Sequence, residues 1–229
     1  MKRVLKLIIL LLLILLNFFV LNYFIVREYI PVKDMLNKIN LKEVKSLMII
    51  AHPDDESLWG GAHLAKQDYL VVCVTCGSDE KRKKEFEKAM NEFGNKYMSL
   101  GYPDKTNNEK DDWSKIYYKI EKDIKYILNY KKWDMIVTHN PEGEYNHIHH
   151  KMVSTMVSKN ADKDRLYYFN RYYTSDELTN MDYCIRTLDD KDIYRKNIML
   201  ADYESQQQII DNHYLNIKYE QFISYKNWN

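Results

Sequence analysis

Residues that break or staple a chain are scarce in this sequence: its 229 residues include 6 glycines, 4 prolines and 3 cysteines. Three cysteines cannot form a disulfide framework. Cys73 and Cys76 make a lone C-x-x-C within and just beyond the apolar run Tyr69–Thr75. They lack the second pair that a structural zinc site needs, so both are expected in or near the core. Neither G-x-G-x-x-G nor G-x-x-x-x-G-K-S/T occurs, which removes a nucleotide-phosphate cradle. There is no internal repeat, and the basic cluster Lys81–Lys84 is short enough to be a solvated helix face. The formal charge is only +1, and without Lys2, Arg3 and Lys6 the 34 Lys and Arg fall to 31 against 33 Asp and Glu. A nucleic-acid partner is therefore not expected.

What is present is unevenly placed. Mean hydropathy is −0.56 although 45% of residues are hydrophobic, because apolar side chains gather at the N-terminus. Leu7–Val26 carries no charge, and twenty residues at about 1.5 Å each span the roughly 30 Å core of a bilayer. A cleaved signal would be shorter and end in small residues, whereas Asn22, Tyr23, Phe24 and Ile25 are bulky. The expectation is a cytoplasmic tip and single-pass transmembrane anchor at 1–26, a linker with a short helix at 27–45, and one domain at 46–229. Basic residues flank the run on both sides. The tight cluster Lys2, Arg3 and Lys6 resembles the charged start of a secretory signal, which points the domain to the extracytoplasmic side.

From Ser46 onward, apolar runs alternate with charged, helix-period segments. Ser46–Ala51, Tyr69–Thr75, Tyr97–Leu100, Met135–His139 and Leu166–Asn170 read as strands. Glu80–Phe93, Trp113–Tyr130 and Glu204–Phe222 read as helices. This alternation predicts an α/β fold, a Rossmann-like open and mostly parallel sheet with helices on both faces. Such sheets bind ligands beyond the carboxyl ends of their strands. The chemically loaded residues follow strand ends here: His52–Glu56, Gly77–Arg82, Pro103–Asp104 and Asn140–His150.

Ala51-His52-Pro53-Asp54-Asp55-Glu56 sets one imidazole and three carboxylates just after a buried strand. Capping of the next helix would account for one Asp, not for all four groups. His139, His147, His149 and His150 fall within one later segment. A solvated histidine cluster would explain them singly, but not their pairing with a His/Asp cluster at a neighbouring strand end. Mixed nitrogen and oxygen ligands with an open position suit a catalytic zinc ion. His63, His139 and His213 read as structural, and Tyr167–Tyr173 as packing or a wall of the site.

These motifs resemble those of the PIG-L/LmbE-like N-acetylglucosaminyl deacetylases. The segment from His52 to Glu56 and the H-x-x-H of His147–His150 are similar to the two signatures of that family. Thr75-Cys76-Gly77, Arg82 to Glu85, Tyr102-Pro103-Asp104 and Tyr203-Glu204-Ser205-Gln206 are similar to its T-x-G, R-x-x-E, L-P-D and Y-x-S-Q elements. The resemblance covers roughly residues 46–210. It departs at Asn146, Ile148 and His149, where related sequences often read G-H-P-D-H or G-H-P-Q-H; His149, beside His150, could compete as a ligand.

The resemblance implies a metal held by His52, Asp55 and His150, Zn2+ for preference, with Fe2+ or another divalent ion also suited. It gives Asp54 the role of base, His147 that of stabilising or protonating the tetrahedral intermediate, and Tyr145 a hydrogen bond to the oxyanion. Arg82 and Asp104 would contact sugar hydroxyls, and Glu56 receives no role. The implied activity is hydrolysis of the N-acetyl group of an N-acetylglucosamine-type sugar, lipid-linked or in an envelope glycan. Another amide or ester hydrolase on the same scaffold, or a glycan-binding pseudoenzyme, are the alternatives.

Overall fold

The computed structural model describes residues 6, 9–17, 30–76, 79–106, 109–180 and 187–228. The chain divides into two units, Met1–Lys38 and Ile39–Asn229. In the first, α1 (9–17) is an apolar helix with Ile9 to Leu16 exposed, and α2 (Val32–Asn37) follows Pro31. The rest of the expected transmembrane segment, 7–8 and 18–26, lies outside the described residues. Among the described residues no helix is long and apolar enough to cross a membrane, so the anchor expected over Leu7–Val26 is not found there.

The second unit is built on two wholly apolar or uncharged runs. β1 (Ser46–Ile50) and β2 (Tyr69–Cys73) are buried at every residue, as strands covered on both faces must be. Around them lie α3 (Asp55–Leu64), α4 (Glu80–Glu92), β3 (Lys96–Ser99), the hairpin β4 (Lys105–Thr106) and β5 (Glu109–Lys110), α5 (Tyr117–Tyr130), β6 (Met135–Thr138), α6 (Ile148–Asn160), β7 (Leu166–Phe169), α7 (Ser175–Asn180), α8 (Asp190–Ala201), α9 (Gln207–Ile217) and β8 (Phe222–Ser224). The main sheet runs β3-β2-β1-β6-β7-β8, parallel except at β8. Counted along this sheet alone, that is the doubly wound order 3-2-1-4-5-6.

Side chains alternate across the sheet. Met48, Ile50, Val71 and Cys73 join Leu58, Phe86, Met199 and Ile210 from α3, α4, α8 and α9. Leu47, Ile49, Leu70 and Val72 point the other way, where α5 and α6 pack together. Gly60 and Gly61 serve this packing. A Cβ on Gly60 would meet Met48 at 2.7 Å, and one on Gly61 would meet Lys196 at 2.9 Å.

Two expected helices change at their ends. The helix expected from Trp113 starts at Tyr117, because Asp111 and Asp112 accept from the backbone N–H of Trp113 (2.7 Å) and Ser114 (2.9 Å) and hold a turn. The helix expected to Phe222 stops at Ile217, and Phe222–Ser224 becomes the antiparallel edge strand on β7. Neither helix α8 nor the small hairpin is announced by the sequence pattern. The capping carboxylate of Asp189 starts α8 by accepting from Asp192 N at 2.8 Å.

Candidate active site

The strand order turns outward between β1 and β6, and the loops leaving these two strands meet there. His52 lies within the loop after β1 and Asp55 opens α3. His139, Glu144 and His147 line the β6 loop, and His149 and His150 stand in the first turn of α6. The β2 and β3 ends bring Arg82 and Asp104 to the same edge. Among the described residues three groups have ligand atoms within 4.8 Å of one another: His52, His147 and His150; His52, Asp104 and His149; Asp55, His139 and His150. The trio His52, Asp55 and His150 draws from these groups without being one of them.

Proton positions inferred from the hydrogen-bond partners distinguish the rings. The buried carboxylate of Glu144 accepts from Nδ1 of His139 (2.9 Å) and Nδ1 of His150 (2.6 Å). Burial works against its ionisation, yet the two imidazoles, His139 foremost, bring the carboxyl down to about 2. Each ring then keeps a lone pair on Nε2. That of His139 accepts the backbone N–H of Ala51 at 2.9 Å; burial opposes protonation of this ring while Glu144 and Asp55 draw it up to about 9, and the Ala51 N–H is what argues for a proton-free Nε2. That of His150 is buried without a hydrogen-bond partner, 3.2 Å from Asp55 Oδ1.

The same reasoning reaches His52. His149 Nε2 donates to the Asp111 carbonyl at 2.5 Å, so its Nδ1 accepts from His52 Nε2 at 2.9 Å. In a neutral ring this leaves the lone pair of His52 on Nδ1, 3.3 Å from Asp55 Oδ2; burial opposes a second proton there, whereas Asp104 and Asp55 favour it and raise the ring's pKa, so a cation, proton or metal, is called for between Nδ1 and Asp55. Lone pairs facing a carboxylate at such distances repel unless a cation lies among them. His52 Nδ1, Asp55 and His150 Nε2 therefore form a mixed nitrogen and oxygen donor set that fits a divalent ion. The carboxylate behind His150 is the support that metal-binding histidines commonly have.

Comparison with known proteins bears on this edge of the sheet. Residues 47–161, half of the chain, match the family described as PIG-L: GlcNAc-PI de-N-acetylase. The chain belongs to the PIG-L family. An uncharacterized protein of Acanthamoeba polyphaga mimivirus is 29% identical over 198 residues, covering 79% of this chain and 80% of that protein. Membership makes the protein a deacetylase-type hydrolase.

Within this PIG-L site, Asp54 is held at φ 103°, a region that non-glycine residues rarely adopt. It occupies the N-cap position of α3, but its side chain makes no capping bond, so capping does not explain it. Burial, followed by the charge of Asp55, raises its carboxyl well above the ordinary range, with Arg82 opposing at 3.8 Å. The strained peptide rests on Glu56, whose Oε2 accepts Asp54 N at 3.3 Å. Glu56 is wholly buried and pushed up to about 7 by burial, and its Oε1 accepts from Ser57 Oγ (2.6 Å) and Tyr203 Oη (2.5 Å). Ser205 likewise binds Glu85, through N at 2.8 Å and Oγ at 2.5 Å. The Y-x-S-Q element thus braces the first motif and R-x-x-E from behind.

Arg82 turns inward from a helix start whose neighbours are solvated. Its Nη2 donates to the Pro53 carbonyl at 2.9 Å and its Nη1 to Asp104 Oδ2 at 3.4 Å. Despite partial burial, His52 and Arg82 hold the Asp104 carboxyl well below its usual range. His147 is the N-cap of α6. Its Nδ1 faces His149 N at 3.2 Å and its Nε2 faces Lys110 Nζ at 2.7 Å, two donors for the one lone pair of a neutral ring. Burial, then His150 and His52, lower it to about 2. Tyr145 stacks on His213 (4.4 Å) and stands edge-on to His150 (5.4 Å), His147 (5.7 Å) and Tyr172 (6.1 Å). Glu144, Trp113 and Lys110 were not singled out from the sequence. Only the i, i+6 spacing of Glu144 to His150 could have pointed to the first, because the other two come from the hairpin segment.

Proposed function

We propose that the protein is a metal-dependent hydrolase that removes the N-acetyl group from an N-acetylglucosamine-type sugar of a glycolipid, glycan or other glycoconjugate, releasing acetate and a free amine. The observation that carries this reading is the buried, unpartnered Nε2 of His150 facing Asp55 beside His52. His52, Asp55 and His150 would hold the ion, with zinc preferred and Fe2+ or another divalent ion compatible. Bound there, a divalent ion supplies Lewis acidity to a water and to the amide carbonyl.

The remaining steps fall to side chains. Asp54, its carboxyl raised by burial, takes a proton from the attacking water. Tyr145 keeps its phenolic proton because burial pushes the hydroxyl up, and it donates to the developing oxyanion. His147, a neutral ring, donates an N–H to that oxyanion or relays to the departing nitrogen the proton that Asp54 has taken from the water. Arg82 and Asp104 orient the sugar through its hydroxyls. The apolar run Leu7–Val26 supports a membrane-attached chain, with the catalytic unit extracytoplasmic and a lipid-linked or envelope sugar as substrate.

The test is metal analysis of the purified chain beside His150→Ala, followed by acetate release from N-acetylglucosaminides. About one ion per chain, absent from the variant, with acetate released only by the loaded protein, is expected. No bound ion even after reconstitution overturns the reading. Release from esters but from no N-acetyl sugar moves the substrate to another acyl class.

A further inference from the structure

His149, one of the three positions at which the second motif departs from the pattern it resembles, has a ring held on its face and at both nitrogens. The indole of Trp113, wholly buried, stacks on it at 3.9 Å with 2° between the planes. Trp113 is itself pinned: its Nε1 donates to the Pro103 carbonyl at 2.7 Å, its N donates to Asp111 Oδ1 at 2.7 Å, and its φ is 54°. The Asp111 carbonyl takes the proton of His149 Nε2. Ring plane and ring rotation are both set by the segment after the hairpin, and only a lone pair on Nδ1 can face His52.

We infer that His149, clamped by Trp113 and the Asp111 carbonyl, is a positioning residue that holds His52 with its proton on Nε2 and its Nδ1 free for a divalent ion. The inference rests on the metal reading above and adds a residue outside the ligand set. Both nitrogens of His149 are used in this arrangement, which removes it as a ligand. Asp104 Oδ1, at 3.4 Å from His52 Nε2, is a more distant acceptor than His149 Nδ1 at 2.9 Å. Supports of this kind typically contribute 10- to 100-fold to metal affinity.

The test uses the full chain and two probes, Zn2+ and Co2+, with affinity read by competition against a chromophoric chelator. His149→Phe keeps a ring on Trp113 and removes the acceptor; affinity is expected to fall roughly 10- to 100-fold and the visible Co2+ spectrum to shift. His149→Asn returns an acceptor oxygen near the Nδ1 position and is expected to recover most of the affinity. Unchanged affinity in His149→Phe overturns the inference alone. Loss in both variants as complete as in His150→Ala makes His149 a ligand and also overturns it. A wild-type chain that takes up neither ion removes the metal reading and this inference with it. Independently of any variant, imidazole 15N spectra of the wild type are expected to show His52 protonated at Nε2, and a proton on Nδ1 overturns the proposal.

Discussion

Helix α3 buries a polar cluster at each end, and the two differ in how completely they are paired. At its C-terminal end, Glu220 accepts from Ala62 N (3.0 Å), His63 N (2.9 Å), His63 Nδ1 (2.6 Å) and Lys196 Nζ (2.8 Å). Lys196 gives a second bond to the Ile217 carbonyl at 2.9 Å, and both charged side chains are fully buried. At the N-terminal end, His150 Nε2 has no partner, Asp55 faces it, and Asp54 is strained beside them. The first cluster closes on itself and joins α3, α8 and the approach to β8. The second is left open, with a donor set that could hold a divalent ion, and that incomplete pairing is what separates it from the structural ion pair at equal burial.

Breaking the open end should cost activity without costing stability. Asp54→Gly removes the base and relieves the positive φ; turnover should drop about 10²- to 10⁴-fold while stability rises by about 1 kcal/mol, with metal content unchanged. Parallel acetate-release and urea-unfolding measurements check this, and a stability loss would show that the strain is not stored at Asp54. Breaking the closed end should do the reverse. Lys196→Met leaves Glu220 buried without its cation and should cost roughly 3–5 kcal/mol in urea, with one ion per folded chain retained.

The smallest effect is a pH dependence that belongs to the closed end. Burial opposes ionisation of Glu220, but Lys196 and then His63 bring its carboxyl down to about 2. Because this folded value lies below the ordinary value of 4.5, the stabilisation is present above about pH 4.5 and is lost as the pH falls towards 2. The loss should approach roughly 3 kcal/mol, and Glu220→Gln should flatten the stability curve across that window. A curve of unchanged slope in the variant would assign acid unfolding to other carboxylates.

Much of the architecture is readable along the chain because it depends on local period. The runs at β1 and β2 are uncharged throughout and bounded by polar turns, so strand identity and parallel pairing follow from them. Glu80–Glu92 is readable for the same reason, with Asp79 capping it through Lys81 N and Arg82 N. Helix α8 was not, because it buries Lys196, a residue that signals solvent unless its partner is known. The partner, Glu220, lies 24 residues away, and Lys196 also binds the carbonyl of Ile217, the last residue of α9.

The site divides in the same way. Its residue types and their spacing are local, so His52, Asp54, Asp55, His147 and His150 stand out before any fold is known. Which lone pair is left bare is not local. It follows from Glu144 holding the protons of His139 and His150, from Ala51 occupying one of these rings and not the other, and from His149 holding His52. Local period and residue type along the chain are enough for the alternating α/β order and the chemical kind of the site. Which ring nitrogens among these imidazoles stay free depends on the fold, because hydrogen-bond satisfaction is a count over all neighbours in space and not over neighbours in the chain.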